Sequence, residues 1–259
     1  MAEYITTSVD EGVCIITLNR PDKYHSFIKP MAFQLQDALD RAAEDSAVRA
    51  VLLTATGKAF CAGQDLKEAT EEGGPELTSI VSEHYNPIIL KMRNLPKPLI
   101  VGVNGVAAGA GANIALAGDI VLATESASFI QAFSKIGLIP DSGGTFMLPR
   151  LIGLQRATAL MMTADPVSAA EAVEMGMIYK AFPDDSFAAE ALAFTKRIAK
   201  MPTKGLILTK KALNKSLTNN LETQLQCEDD LQTQAGNTHD FAEGVRAFIE
   251  KRTPKFEGK

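Results

Sequence analysis

Apolar positions along the chain change period several times, and each change predicts an element. Val13-Cys14-Ile15-Ile16-Thr17-Leu18 is a nearly unbroken apolar run that ends at Asn19-Arg20-Pro21-Asp22, so it predicts a strand closed by a turn. Met31, Leu35, Leu39 and Ala42 then recur at helical spacing, leaving Asp37, Asp40 and Arg41 for the wet face. Further strands are predicted at Val48 to Leu53, Pro98 to Val103, Asp119 to Ala123 and Ile178 to Phe182. Between and after them the pattern is helical: Gly144 to Ile152, Leu154 to Thr163, and Ala169 to Met175 opened by the capping box Ser168-Ala169-Ala170-Glu171. From about Ser186 onward everything reads as helix, punctuated by Pro202 and Gly236-Asn237. One face there carries Leu221, Leu225, Cys227 and Leu231, and the tail carries Val245, Phe248 and Ile249. Strands alternating with helices predict an α/β fold with parallel crossovers, and no internal repeat is visible.

Composition narrows the function classes. The 259 residues hold 26 Lys+Arg against 31 Asp+Glu, a formal charge of −5, without a basic run that would suit nucleic acid or a membrane surface. Pro98 to Gly118 is long enough to span a bilayer, but its five glycines and two asparagines suit a buried strand, a glycine loop and a core helix instead. The start has neither a basic nor an apolar targeting region, which predicts a cytoplasmic protein. Three cysteines and three histidines lack metal-site or disulfide spacing, so no metal is expected.

Three segments could carry chemistry. Phe60-Cys61-Ala62-Gly63-Gln64-Asp65-Leu66 is either a loop that offers a main-chain amide to a ligand or an ordinary turn capped by Asp65. Asn104 to Asn113 feeds small residues into a helix, whose first amides suit a developing oxyanion, although tight helix packing demands small residues too. Ile139-Pro140-Asp141-Ser142-Gly143-Gly144 places one Asp in a glycine turn, where an N-cap is the ordinary explanation. Cys61 reads as a buried structural thiol. His25, His84 and His239 have no evident partner and read as packing or surface residues.

Taken together, Phe60 to Leu66, Val103 to Ala112 and Phe133 to Gly144 resemble, in order and separation, the motifs of the crotonase (enoyl-CoA hydratase/isomerase) superfamily. The resemblance runs from Ile15-Thr-Leu-Asn-Arg-Pro21 to Gly244-Val-Arg-Ala-Phe-Ile-Glu-Lys-Arg252. It implies a spiral of β-β-α turns over residues 1–195, and a C-terminal helical region over 196–259 that assembles a homotrimer or a dimer of trimers. It also implies an acyl-CoA thioester as substrate, with coenzyme A as part of that substrate and no separate cofactor. The family's oxyanion hole falls on the N–H groups of Gln64 and Ala110. Its CoA and substrate contacts fall on Lys23, Tyr24, Ala62, Asp65, Gly109 and Phe133, with Phe248 and Lys251 reaching a neighbouring subunit's CoA. His25-Ser26-Phe27 departs from the family's usual Asn-Ala-Leu.

Two glutamates mark the family's hydratases, and their positions here match Asn113 and Phe133. Asp141 instead matches the carboxylate of Δ3,Δ2-enoyl-CoA isomerases and of aryl-CoA-processing members. The aryl-CoA dehalogenases add a histidine and a tryptophan, which match Asn86 and Phe133. The Phe133-Ser-Lys-Ile-Gly-Leu-Ile-Pro-Asp141 run and the Lys251 to Lys259 tail resemble the ring-1,2-epoxyphenylacetyl-CoA isomerase branch of the family. An acyl-CoA isomerase with Asp141 as its acid/base is therefore the expectation. A hydratase with unusual residues and a catalytically silent acyl-CoA-binding scaffold are the alternatives.

Overall fold

The computed structural model describes residues 2–259. In chain order the strands are β1 (Ile5–Asp10), β2 (Val13–Leu18), β3 (Ala50–Ala55), β4 (Ala59–Cys61), β5 (Leu99–Val103), β6 (Val106–Ala108), β7 (Ile120–Thr124), β8 (Ser128–Ile130), β9 (Val167–Ser168) and β10 (Lys180–Phe182). The helices are α1 (Lys29–Glu44), α2 (Leu66–Thr70), α3 (Leu77–Ser79), α4 (Asn86–Asn94), α5 (Ala110–Leu116), α6 (Gly144–Ile152), α7 (Leu154–Thr163), α8 (Ala169–Glu174), α9 (Phe187–Ala199), α10 (Thr203–Ser216), α11 (Leu221–Gly236) and α12 (His239–Glu250). A π-helical turn, Ile80–Tyr85, leads into α4.

The strands sort into two sheets. The larger has the order β1-β2-β3-β5-β7-β10 and is parallel apart from the β1–β2 hairpin. The smaller has the order β4-β6-β8-β9 and is parallel apart from β8–β9. Each of β3, β5 and β7 is followed within a few residues by β4, β6 or β8, and the chain then returns through helices. This is the β-β-α spiral that the family resemblance implied.

Burial on both faces explains the apolar runs of the larger sheet. Ile16, Leu18, Val51, Leu53 and Val101 pack toward α1 and the smaller sheet, in a core that includes Met31, Leu35, Leu39 and Ala42. The intervening Val13, Ala50, Leu52, Ile100 and Leu122 pack under Phe187, Ala191 and Ala199 of α9. Because α9 spans 187–199 and covers the sheet, the expected division between 195 and 196 falls inside this helix.

Beyond Pro202 the C-terminal helices form a separate small cluster around Leu208, Cys227 and Leu231. Buried Lys210 of α10 joins it to the spiral, its Nζ lying 2.8 Å from Asp119 and donating to the Met92 carbonyl at 2.9 Å. The tail is tied down in turn. Arg252 pairs with both oxygens of Glu243 at 2.6 and 2.9 Å, and this bond draws the Glu243 carboxyl down to about 2. The helical face predicted for α11 divides: Cys227 and Leu231 are buried against Leu208 of α10, whereas Leu221 and Leu225 are exposed. Val245, Phe248 and Ile249 of α12 are exposed as well.

Candidate active site

The smaller sheet delivers three parallel strands side by side, and each runs from its carboxyl end into one of the three motif segments. This end of parallel strands is where open α/β sheets place ligands. β4 continues into Ala62-Gly63-Gln64-Asp65, β6 into Gly109-Ala110, and β8 into Gln131 and Phe133.

Gly63 brings the first two turns together. Its φ is +89°, a conformation open to glycine, and a Cβ there would lie 3.0 Å from the Ala108 carbonyl and 3.4 Å from the Ala110 nitrogen. The Gln64 amide is next in the chain. Neighbouring amides are committed: Asp65 N–H donates to Phe27, Gly109 N–H to Ile130, and Ala112 and Asn113 N–H to Gly109. Among the described residues, the Gln64 and Ala110 amides have no such acceptor. Ala110 is the first residue of α5, so its amide sits at the positive end of that helix. Tight packing holds as well, since a Cβ on Gly111 would lie 2.4 Å from the Cys61 carbonyl. The packing reading of the glycine-alanine segment therefore holds, and the Ala110 amide stays free beside it.

The Gln64 side chain is fixed from outside. Tyr85, fully buried in the π-helical turn, donates its hydroxyl to Gln64 Oε1 at 2.9 Å, and Gln64 Nε2 donates to Glu68 at 3.1 Å. Burial, with further contributions from nearby Cys61, Asp141 and Glu68, pushes the Tyr85 phenol well above its ordinary pKa. It remains a donor at any physiological pH. The third segment reaches this same corner through α5, whose Asn113 Nδ2 donates to the Asp141 carbonyl.

Asp141 is not an N-cap. Gly143 caps α6, and the turn reaches it through positive φ at Ser142 (50°) and Gly143 (72°). This backbone leaves the Asp141 side chain free of the helix terminus, with one oxygen accepting from buried Ser142 Oγ at 2.8 Å. Burial raises its pKa above the ordinary carboxylate value, and the Ser142 bond offsets that only in part. Its carbonyl oxygen accepts from Gly144 N at 2.9 Å and from Asn113 Nδ2 at 2.8 Å. Asn113 is one turn beyond Ala110 on α5, so the amide donor and the carboxylate turn share one helix.

The remaining expected residues divide into two groups. Lys23, Tyr24, Ala62 and Asp65 do converge: Ala62 N–H donates to the Tyr24 carbonyl at 2.9 Å, and Arg20 pairs with Asp65 at 2.7 Å. Asp65 also caps α2 through Lys67 N–H, so the turn-capping reading holds for it. Burial opposes its ionisation, but Arg20 and the helix amides hold its carboxyl below the usual range. Tyr24 is exposed, and Phe133 is buried beside Gly109. Phe248 is 85% exposed on α12 and Lys251 ends that helix at φ +54°; α12 packs on α11. His25 is a buried stitch: its Nδ1 accepts from Arg20 N–H, so Nε2 carries the proton given to the Thr56 carbonyl at 2.7 Å. Cys61 is buried, its thiol pushed up to about 12 by burial, in keeping with a structural role.

Arg20, Tyr85, Gln131 and Ser142 were not singled out by the sequence. Their partners are distant in the chain or lie in turns without periodicity, and no local pattern marks them.

The enoyl-CoA hydratase/isomerase family matches residues 8–259, and the chain belongs to it. Over 262 aligned residues and the whole of both chains, it is 47% identical to a 1,2-epoxyphenylacetyl-CoA isomerase of Escherichia coli. It is 37% identical, over 98% of each chain, to a trans-2-decenoyl-[acyl-carrier-protein] isomerase of Streptococcus mutans. Among solved structures, an enoyl-CoA hydratase from Bacillus anthracis superposes with a TM-score of 0.92 at 34% identity, covering 99% of this chain and all of the other. Among the described residues, no helix is long and apolar enough to cross a membrane.

Proposed function

We propose that this protein is an acyl-CoA isomerase of the Δ3,Δ2-enoyl-CoA or ring-1,2-epoxyphenylacetyl-CoA type. The observation that carries this reading is one carboxylate, Asp141, with its pKa raised by burial, at the corner where the unpaired Gln64 and Ala110 amides meet. The two isomerases among the relatives support it. So do Asn113 and Phe133, which stand where a two-glutamate hydratase needs its acid and base.

In a 3-enoyl thioester, Asp141 takes a proton from C2. The electron pair moves into the thioester carbonyl, and the resulting dienolate oxygen accepts from the two amides. These donors bind the anion more strongly than the neutral carbonyl, which is the condition for catalysis; one such donor contributes about 3–4 kcal/mol. Asp141 then returns the proton at C4 as the double bond shifts to C2–C3. One carboxylate suffices, because the proton removed is the proton replaced. For a ring-epoxidised arylacetyl-CoA, the same hole would hold the thioester while the ring-fusion C–C bond opens to the oxepin, with no atom gained or lost. Lys23, Tyr24, Ala62 and Asp65 would hold the CoA, with Phe133 and Gly109 against the acyl group. The exposed Phe248 and Ile249 favour a trimer or dimer of trimers in which Phe248 and Lys251 reach a neighbour's CoA; light scattering measures that assembly.

The test compares isomerisation of 3-hexenoyl-CoA with conversion of epoxyphenylacetyl-CoA and hydration of crotonyl-CoA. Isomerisation by the wild type, abolished in Asp141→Asn with CoA-ester affinity retained, is expected. Crotonyl-CoA hydration without isomerisation would replace this reading with the hydratase. Binding without any turnover would replace it with the silent scaffold.

A further inference from the structure

Behind Asp141 lies a pair of buried amides with a fixed polarity. Asn113 is 1% exposed and Gln131 is 4% exposed. Asn113 Nδ2 donates to the Asp141 carbonyl at 2.8 Å, and Gln131 Nε2 donates to Asn113 Oδ1 at 2.8 Å. A carbonyl oxygen can only accept, so Asn113 must turn its NH2 toward Asp141. Its oxygen is then left for Gln131, which must turn its own NH2 inward. The chain of donors has one permitted direction, and at its far end Gln131 Oε1 is buried without a partner. Leaving a buried acceptor unsatisfied is unfavourable, and a packing role alone would be met by apolar side chains. Gly144 completes the cradle: a Cβ there would lie 2.3 Å from Asn113 Nδ2, so only glycine leaves room for the amide.

We infer that Asn113 and Gln131 are positioning residues that lock the Asp141 main chain and so hold its carboxylate in line with the oxyanion amides. The inference rests on the isomerase reading of Asp141. Gln131 joins the end of β8, and Ile130 of β8 accepts the Gly109 amide, so the lock also spans the two halves of the site. A misplacement of the acid/base by a fraction of an ångström lowers the rate of proton transfer without weakening CoA binding.

The polarity supplies the test. In Asn113→Asp, an ionised carboxylate cannot donate to the Asp141 carbonyl, whereas the protonated acid can. Gln131→Glu has the same property one link further back. The other titratable groups at this corner are Tyr85 and Cys61, which burial holds neutral in the working range, and Glu68, whose carboxylate bonds the Gln64 side chain. All three are present in variant and wild type alike, and the ratio compares the two. Each variant is expected to lose about tenfold or more in kcat for 3-hexenoyl-CoA at pH 8, with KM little changed. The ratio of variant to wild-type kcat is expected to rise as the pH falls. A ratio that stays flat with pH, or a loss confined to KM, would overturn the inference. Circular dichroism identifies a variant that fails to fold, and the other then decides. Asp141→Asn is assayed alongside: full turnover there would sink the isomerase reading itself, whereas an inactive Asp141→Asn with flat ratios would sink only the lock.

Discussion

The two sheets are built from the same turns of chain, yet they have opposite properties. The larger one has a centre, β2, β3, β5 and β7, made of strands of five or six mostly buried residues, and the side chains there are almost wholly hydrocarbon. The smaller one is made of strands of two or three residues, and its ends carry the free amides, the positive-φ turns and the buried Asn113 and Gln131. The first holds the bulk of the apolar core, and the second carries the proposed chemistry. Because β4, β6 and β8 each follow a strand of the larger sheet within a few residues, the rigid sheet sets the spacing of the reactive one.

Mutations in the two sheets should therefore separate stability from rate. Leu53→Ala removes a fully buried side chain from the larger sheet and should lower unfolding stability by about 2–5 kcal/mol in denaturant titrations, with kcat per folded molecule unchanged. Should kcat fall with it, the separation fails. Gly63→Ala, in the smaller sheet's first turn, forces a Cβ toward the Ala108 carbonyl and displaces the Gln64 amide. Isomerisation should fall by about 10²–10³, the loss expected for one oxyanion donor, while the fold persists by circular dichroism. Tyr85→Phe removes only the hydrogen bond that steadies Gln64, and should slow turnover by an amount near 1 kcal/mol in barrier.

Asp141→Asn should act with opposite signs on the two properties. The native pKa of Asp141 is raised, so the protonated group's stability is intact below the unfolded carboxylate pKa and is lost as pH rises through the native value. At neutral pH, above the unfolded carboxylate pKa, burying this carboxyl thus weakens the fold. The Asn variant should melt above the wild type at pH 7, the gap should close at acid pH, and turnover should be absent throughout. In the wild type, kcat/KM should rise with pH through the same raised pKa, as the base form becomes populated. A melting gap that widens toward acid pH would contradict the burial of this group.

Legibility in the sequence followed the same division. Val51-Leu52-Leu53 and Leu99 to Val103 are runs long enough to announce strands, and the stripe of α1 is a helical period buried as expected. The strand edges differ by two residues at β3 and β10, where apolar residues continue into turns. Strands of two or three residues carry no period at all, so the smaller sheet left no trace in the hydrophobic pattern, and the repeating turn it completes was implied only by the family resemblance. The glycine turns were visible, but as ambiguous features; only their order and separation, through the family resemblance, gave Gln64, Ala110 and Asp141 roles. Asp65 proved to be a helix cap, whereas Asp141, with the same local chemistry, proved not to be one, because positive φ at Ser142 and Gly143 moves the helix start past it. Tyr85 and Gln131 act on residues 21 and 18 positions away, and such contacts exist only once the spiral closes. Leu221 and Leu225 show the converse: a periodic stripe states that a face is apolar, not that this chain covers it.

The central claim, a single carboxylate that carries one proton between two carbons of a thioester enolate, is tested most directly by an isotope. A 3-enoyl-CoA with two deuterons at C2, converted in ordinary water, should yield a 2-enoyl-CoA that holds deuterium at C4 in part of the product. That label should vanish with the turnover in Asp141→Asn. A 3-hydroxyacyl product, or a 2-enoyl product whose new C4 hydrogen comes wholly from solvent, would contradict it.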